Sequence, residues 1–413
     1  MTKWQWIFRQ FGKKLWVRVS LFGVGAVVTA VLAPFFRDYI PDDISRRVGA
    51  ESVDKILQII ASTMLAVTTF SLSTMVVAYV AVSNSATPRA TKLLLEDRTA
   101  QNALATFIGS FIFALVGIIA LTMNVYGVGG RLILFAVTVL VIAVIVVVLI
   151  QWINYLSVVG RVAETVGKVE VVVRGALTER LTHPYLDATP LLDDIPAERC
   201  HLIYHDEIGY VQYIDMVALS SVAEAHDVDI YVQALPGKFN DTSGPVAFLL
   251  TPPAPDLARA VAAAFVIGAD RSFEQDPRFG LIVLSEIASR AMSPAVNDPG
   301  TAIDVIGTGV RLLAPWVQRE ERTPDIRFER IHVPPLQTRD LFDDFFTPIA
   351  RDGAGAIEVA IRLQKALLAL SRMGNPQARA EANRHRALAL KRAMHVLVID
   401  EDRVRLETLA HST

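Results

Sequence analysis

The chain has 413 residues, 52% hydrophobic and 20% charged, and its mean hydropathy of +0.40 argues against a purely cytosolic protein. Charge is unevenly placed: residues 1–160 carry 13 basic and 7 acidic side chains, a net charge of +6, which leaves −8 for residues 161–413. Without a basic face after residue 160 a nucleic-acid partner has no support, and the lone Cys200 excludes an intrachain disulfide.

Four stretches without Asp, Glu, Lys or Arg predict four membrane-spanning helices. A bilayer core of about 30 Å needs roughly 20 mostly apolar residues, a length that the last three stretches exceed and the first barely reaches. The predicted spans are residues 17–36, 56–82, 102–126 and 132–156. The first also matches the basic and apolar regions of a signal peptide, but Ala33-Pro34 is a poor cleavage context, and an uncleaved helix is favoured.

Basic residues near the span ends predict the orientation. They cluster before the first span, between the second and third spans, and after the fourth span. The positive-inside rule places these three groups in the cytoplasm. Both termini and the whole C-terminal half are therefore predicted to be cytoplasmic, although the loop 37–55 on the opposite side also carries basic residues.

The second predicted span carries a narrow stripe of small and polar residues on one helix face. One interpretation is close helix packing through small residues. The other is a water-filled pathway lined by hydroxyls, with this span repeated around a symmetry axis and Val77 and Val80 as an apolar constriction. The candidate pore-lining residues are Ser62, Ala66, Thr69, Ser73 and Asn84.

The spans and the motifs both argue against several classes of function. No span carries an ionisable side chain at mid-membrane depth, which counts against a coupled transporter but not against a passive pore. The chain has no Walker A motif, no His-Glu-x-x-His, no Gly-x-Ser-x-Gly and no cysteine pair. We therefore predict no enzyme activity, no cofactor and no metal site.

The C-terminal half predicts a cytoplasmic α+β domain that is mostly helical with a small β subdomain. Alternating residues predict a small α+β or barrel-like subdomain with a helix at 216–227. The predicted regions are residues 1–160 for the four-helix transmembrane domain, 161–196 for a helix continuing span four and a linker, 197–252 for the small subdomain and 253–413 for a helical subdomain. Predicted helices in the last region are 255–267, 278–292, 299–314, 355–373 and 376–398, with an extended piece at 328–335.

The densest polar motif lies within residues 269–306. Asn297 or Asp298 followed by Pro299 is typical of a helix start, and Pro294 closes the preceding helix, so a capped helix-turn-helix explains most of the pattern. The alternative is a polar subunit or ligand contact. Its candidate residues are Arg271, Gln275, Asp276, Arg290, Asn297 and Asp298.

Two long segments carry a resemblance. They are VSNSATPRATKLLLEDRTAQNALATFIGSFIFAL at 82–115 and FEQDPRFGLIVLSEIASRAMSPAVNDPGTA at 273–302. Together they resemble the DUF2254 family of bacterial predicted membrane proteins, which implies a multi-pass protein of the bacterial inner membrane. The matching positions are Ser83, Pro88, Arg89, Asp97, Gln101, Phe107, Gly109, Gln275, Asp276, Phe279, Gly280, Arg290, Ser293, Pro294, Asn297, Asp298, Pro299 and Thr301.

The chain departs from the family pattern at two places. Ser85 and Ala86-Thr87 stand where the family has Gln and Phe-Ser, and Asn154-Tyr155 stands where histidines are expected at the end of span four. The resemblance implies contact roles for Arg89 and Thr301 beside the six motif candidates.

Two functions fit these observations. The first is a homo-oligomeric ion-conducting pore in the lipid bilayer, lined by span two and assembled or gated by the cytoplasmic domain, whose acidic charge favours cations. The second is a membrane-anchored sensor or scaffold that binds a ligand or protein through its cytoplasmic domain.

Overall fold

The computed structural model describes most of the chain after residue 49. The described ranges are residues 50–95, 97–123, 127–192, 195–320 and 324–411, with five isolated positions before residue 50. The predicted first span, residues 17–36, lies largely outside the described residues. Among the described residues, contacts divide the chain into an N-terminal unit (50–83 and 91–161) and a C-terminal unit (84–90 and 162–411).

Among the described residues, three helices are long and apolar enough to cross a membrane, by length and composition. Their apolar segments are Ser52–Ser85, Arg98–Thr122 and Arg131–Leu156, where spans two, three and four were predicted. The helices of the described N-terminal half are α1 (Ala50–Ser85), α2 (Pro88–Leu95), α3 (Arg98–Thr122) and α4 (Gly127–Leu156).

Small residues bring α3 close to its neighbours. Ala105, Gly109, Phe113 and Gly117, spaced by four, are all buried. A Cβ at Gly117 would lie 3.0 Å from Cδ1 of Leu57, so the Leu57 side chain of α1 packs directly on this glycine. Small residues on this face of α3 thus leave room for side chains of its neighbours.

The long helix α4 is largely exposed and ends abruptly. Val139, Leu140 and Val147 are exposed, as expected of aliphatic side chains that face lipid. The connecting helix predicted after span four is present at Val162–Thr182, but it does not continue span four, because α4 ends at Leu156 and a turn follows. Gly160 lies in that turn with φ +89°, a conformation that favours glycine, and it separates α4 from the next helix.

The C-terminal unit is mostly helical. Its helices are α5 (Val162–Thr182), α6 (Met216–His226), α7 (Pro255–Ala263), α8 (Pro277–Ala291), α9 (Pro299–Val317), α10 (Thr338–Asp352), α11 (Ile357–Met373), α12 (Pro376–Val396) and α13 (Asp400–His411). Helix α8 packs against α5, α9 and α10, which makes it the central helix of this part.

In the part of the chain that the structure describes, eight short strands form two sheets. They are β1 (Ala188–Pro190), β2 (His201–Ile203), β3 (Gly209–Ile214), β4 (Ile230–Val232), β5 (Phe239–Asn240), β6 (Ala247–Leu249), β7 (Phe265–Gly268) and β8 (Phe328–Val333). One sheet has the order β1-β8-β4-β6-β2, in which β8 is parallel to both neighbours, and the antiparallel second sheet has the order β5-β3-β7. The extended piece predicted at 328–335 is confirmed as β8.

The sheets recruit strands from beyond the predicted subdomain 197–252. Strands β1, β7 and β8 all lie outside that range and pair with strands inside it or with each other. The predicted helix 255–267 is therefore too long, because residues after Ala263 turn and pair with β3 as β7. The pairing of β7 with β3 joins segments about 50 residues apart in the chain, so the local hydrophobic pattern of residues 255–267 does not predict it.

Close packing between α9 and α10 gives a first prediction. A Cβ at Gly309 would lie 2.1 Å from Cε1 of Phe345, which is fully buried. We expect Gly309→Ala to lower the free energy of unfolding by about 1–3 kcal/mol, because the ring must move within a filled core. The thermal midpoint of the purified full-length protein in detergent measures the effect.

The matched control is Gly175→Ala on α5, where nothing lies within 4 Å of the added Cβ. Alanine is the better helix former by up to about 1 kcal/mol, so the control is expected to be neutral or stabilising. Equal midpoints for the two variants would contradict the packing argument.

Candidate functional site

The polar stripe of α1 lies on the exposed side of the helix. Met64, Met75 and Val82, on the opposite side, are buried. Within the described residues, the stripe is therefore not buried against another helix. All five predicted pore-lining residues are exposed, namely Ser62, Ala66, Thr69, Ser73 and Asn84.

The hydroxyls of the stripe are bonded to their own helix. Thr69 Oγ1 donates to the carbonyl of Leu65 at 3.0 Å, and Ser73 Oγ donates to the carbonyl of Thr69 at 3.0 Å. Ser62 donates to the carbonyl of Gln58 in the same way. Each donor is thus satisfied, and the oxygen lone pairs remain available on the outer side of the helix.

Apolar side chains interrupt the stripe, as the sequence predicts. Val77 and Val80 are 68% and 55% exposed, and Phe70 is 65% exposed. The exposed side of α1 is therefore mixed, with hydroxyls in its middle turns and valines toward its C-terminal end.

The short segment that follows α1 contacts α8 within the C-terminal unit. Thr87 Oγ1 donates to Oε2 of Glu286 at 3.0 Å, and the Arg89 guanidinium pairs with Oε1 of the same carboxylate. Ala86 and Ala90 are completely buried beside these contacts. The family motif marked Arg89, but sequence reasoning missed the contact of Thr87 with Glu286, although Glu286 is the one carboxylate within α8.

A buried carboxylate begins α8. Asp276 is 2% exposed, and Arg271 donates to its two oxygens at 2.7 and 2.9 Å. The backbone N–H of Phe279 donates to the same carboxylate, which makes Asp276 the N-cap of the helix. Burial raises the pKa of Asp276, and the hydrogen bonds from Arg271 oppose that rise. Burial also lowers the pKa of Arg180 on α5 to about 10, against the attraction of Asp276.

Neighbouring motif residues join this carboxylate to the strands. Gly237 has φ +93°, and a Cβ there would lie 2.3 Å from Oδ2 of Asp276. The turn therefore packs directly against the ion pair of Asp276 with Arg271. Gln275 Oε1 accepts the backbone N–H of Ile214 at the end of β3 at 3.1 Å. Arg271, Gln275 and Asp276 therefore hold the sheet region to the helical core.

The remaining motif residues lie at the other end of α8. Asp298 is the N-cap of α9 and accepts both the backbone N–H of Thr301 at 3.1 Å and its hydroxyl at 2.6 Å. These hydrogen bonds lower the pKa of Asp298. Asn297 adopts φ +49° in the turn, and Arg290 is exposed. The helix-turn-helix predicted from the capping residues is present.

The predicted contact residues consequently fall into two groups. One group surrounds Asp276 before Pro277, and the other follows Arg290, so most of the 15-residue helix α8 separates them. At about 1.5 Å per residue, this separation is roughly 20 Å. The candidates do not form one site: the first group surrounds the buried Asp276, whereas Arg290, Asn297 and Asp298 of the second group are exposed.

A groove of about 390 Å³ lies between α8 and α10. It is lined by Ile282, Ser285, Glu286, Ser289, Asp343, Asp344, Thr347, Pro348 and Arg351. Arg278 neutralises part of this acidic lining, with 2.7 Å between its Nε and Oδ2 of Asp344. In the described part of the chain, no group of three or more His, Cys, Asp or Glu side chains is placed to hold a metal ion.

A buried histidine lies behind one wall of this groove. His385 is 1% exposed, its ring centroid is 5.9 Å from those of Phe342 and Phe346, and its Nε2 is 3.1 Å from Oδ1 of Asp343. Burial lowers the pKa of His385 to about 4, and the nearby Arg384 adds to this effect while Asp343 opposes it.

Comparison with known proteins places these features in context. Residues 12–369 match the profile of a family described as "Predicted membrane protein (DUF2254)". Uncharacterized proteins of Mycobacterium bovis and Mycobacterium tuberculosis are 34% identical over 104 residues, which is 24% of this chain. The matched part spans only 20% of the length of those relatives. No solved structure matches this chain.

The two capping aspartates allow a matched test of charge burial. Asp276→Asn leaves Arg271 and Arg180 without their buried counter-charge, and we expect a loss of about 3–5 kcal/mol in the free energy of unfolding. Asp298→Asn changes an exposed cap for another good capping residue and is expected to cost less than about 1 kcal/mol. Thermal midpoints in detergent measure both, and similar losses would refute the role of the buried pair.

The buried histidine predicts a pH dependence of stability. Folded His385 stays neutral down to about pH 4, whereas an unfolded histidine has a pKa of about 6.5. As the pH falls between these values, the unfolded chain binds a proton that the folded chain does not, so the free energy of unfolding decreases, by about 3 kcal/mol when complete. We expect His385→Gln to remove this part of the acid loss of stability.

The control for this test is His226→Gln, which changes an exposed histidine on α6. It is expected to leave the acid dependence of the thermal midpoint at its wild-type slope. Identical slopes for wild type and His385→Gln would show that His385 does not contribute.

Proposed function

This chain belongs to the DUF2254 family of predicted membrane proteins, and we propose that it forms a homo-oligomeric ion-conducting pore in the bacterial inner membrane. In this proposal α1 lines the axis, while the C-terminal unit lies in the cytoplasm and assembles or gates the pore. Both termini are cytoplasmic, and the predicted first span at residues 17–36 completes a four-helix membrane domain.

The single observation that carries the proposal is the outward position of the polar stripe of α1. Close helix packing through small residues is the competing explanation, and if the partners were α3 and α4 it would require these residues to be buried in the described part of the chain. They are exposed instead, while the apolar side with Met64 and Met75 packs inward. Lipid tails offer hydroxyl groups no hydrogen-bond partners. A partner copy of the chain or water offers them and is therefore the better environment for this side.

The chemistry of the stripe suits ions that keep much of their hydration. Thr69 and Ser73 donate to their own backbone, so their oxygens are free to accept from water or to face a cation. Val77 and Val80 would form an apolar ring toward the C-terminal end of α1. The net charge of −8 after residue 160 supports a preference for cations near the inner mouth.

A membrane-anchored sensor or scaffold is the second candidate function. The groove between α8 and α10 favours it, because a concave surface with both apolar and charged lining is a usual binding site for a small ligand or a peptide. Exposed Arg290 in the last turn of α8 and Asn297 in the turn that follows provide a further contact surface.

Conductance of the purified protein in a planar bilayer tests the pore. We expect cation-selective current in a KCl gradient, and we expect Thr69→Leu with Ser73→Leu to reduce single-channel conductance severalfold, because leucine removes the hydroxyl oxygens and narrows the path. The control pair Val139→Leu and Val147→Leu changes exposed residues of α4 and should leave conductance unchanged.

Three results would count against the pore. They are absence of current from the wild type in any salt, equal loss of current in the α1 and α4 variants, and a monomeric protein in detergent. The third result together with binding of a ligand to the groove would favour the sensor.

A further inference from the structure

The segment from Asn84 to Ala90, here called the strap, belongs to the C-terminal unit, whereas the parts of the chain on both sides of it belong to the N-terminal unit. The helix α1 itself crosses this boundary, because its last two residues, Asn84 and Ser85, are part of the strap. Any movement of the strap is therefore transmitted to α1 through a continuous helical backbone.

One carboxylate holds the strap. Glu286 accepts the Thr87 hydroxyl with one oxygen, at 3.0 Å, and pairs with the Arg89 guanidinium through the other. The two contacts differ in burial, since Thr87 is 5% exposed and the Arg89 side chain is 58% exposed. The attachment thus combines a buried hydrogen bond to a charged acceptor with a solvent-screened ion pair.

These two contacts differ in strength. The buried hydrogen bond to the charged acceptor contributes more than the exposed ion pair, which water screens. Ala86 and Ala90 are completely buried in the attached strap, so the attached state is the populated one and release is a local opening.

Glu286 is also placed to respond to its surroundings. Its side chain is 28% exposed and lines the groove between α8 and α10. Within α8 it follows Ser285 and lies between turns whose apolar residues are fully buried, including Leu284 and Ile287. A rigid, buried helix thus presents one accessible carboxylate to the strap.

We propose that the strap is a releasable latch, in which Glu286 holds Thr87 and Arg89 and so couples the state of the C-terminal unit to the C-terminal end of α1. In the attached state the last turn of α1 is ordered by the C-terminal unit. In the released state that turn is free to move, and with it the valine-bearing part of the helix. As a gating device this latch rests on the proposed pore, but as a mechanical joint it is independent of it.

Charge reversal with a restoring partner tests the latch. The variants are Arg89→Glu, Glu286→Arg and both together, in the full-length protein in lipid nanodiscs. Hydrogen exchange of backbone amides is measured in residues 75–95. We expect each single variant to raise exchange in the strap and in residues 75–85 about tenfold, and the double variant to return it to within about threefold of wild type.

Two further variants separate the contacts and control for charge. Thr87→Val removes only the buried hydrogen bond, and we expect it to raise exchange in the same residues. Arg290→Glu reverses a charge on the exposed end of α8, without a contact to the strap, and should leave exchange unchanged. Thermal unfolding of each variant shows that the rest of the fold is intact.

The outcomes separate the latch from the pore. Unchanged exchange in both single variants, no rescue in the double variant, or faster exchange in the strap without a change in residues 75–85 would each overturn the latch, whatever the conductance. Rescued exchange supports the latch. If the same protein also conducts, the single variants are expected to change open probability without changing single-channel current, and if wild type conducts nothing, the pore fails while the joint stands.

Discussion

Burial of one charge organises the C-terminal unit. An ionised carboxylate removed from water is strongly unfavourable unless it is paired and hydrogen-bonded. Asp276 is paired with Arg271, accepts the N–H of Phe279 and is attracted by the charge of Arg278. The same carboxylate begins α8 and faces the turn at Gly237, so a single group sets the start of the central helix, the preceding loop and the adjoining sheet region. The position of every other group on α8 follows from that start.

The N-terminal unit is governed by a different constraint, the close approach of helices through small residues. At Gly117 on α3 the absence of a side chain lets Leu57 pack directly on the backbone. Burying apolar side chains between helices gains little where lipid is equally apolar, so such helices are held together mainly by close van der Waals contacts. Because the apolar side of α1 is used for this packing, its hydroxyl-bearing side remains outside. The feature that favours a pore is therefore a consequence of how the three helices pack, and the strap at residues 84–90 links that helix to α8.

Local signals predicted many elements well. The charge-free stretches after residue 55 became α1, α3 and α4, Asp298 with Pro299 began α9, and the extended piece at 328–335 became β8. Prediction failed where a distant segment decides the outcome. Residues 265–268 continue a helical pattern but pair with β3, and the helix expected to continue span four is interrupted at Gly160. Glu286 was missed because its partners are nearly 200 residues away in the chain.

The sequence by itself determined the membrane class, the length of the spans, the helix caps and the family, because hydropathy, charge and capping chemistry act over a few neighbouring residues. Only the tertiary structure decided which side of α1 is exposed, that the motif residues divide between the two ends of α8, and that Thr87 and Arg89 share one carboxylate. These features depend on contacts between segments far apart in the chain. Such contacts are set by packing and charge pairing in three dimensions, which no local pattern records.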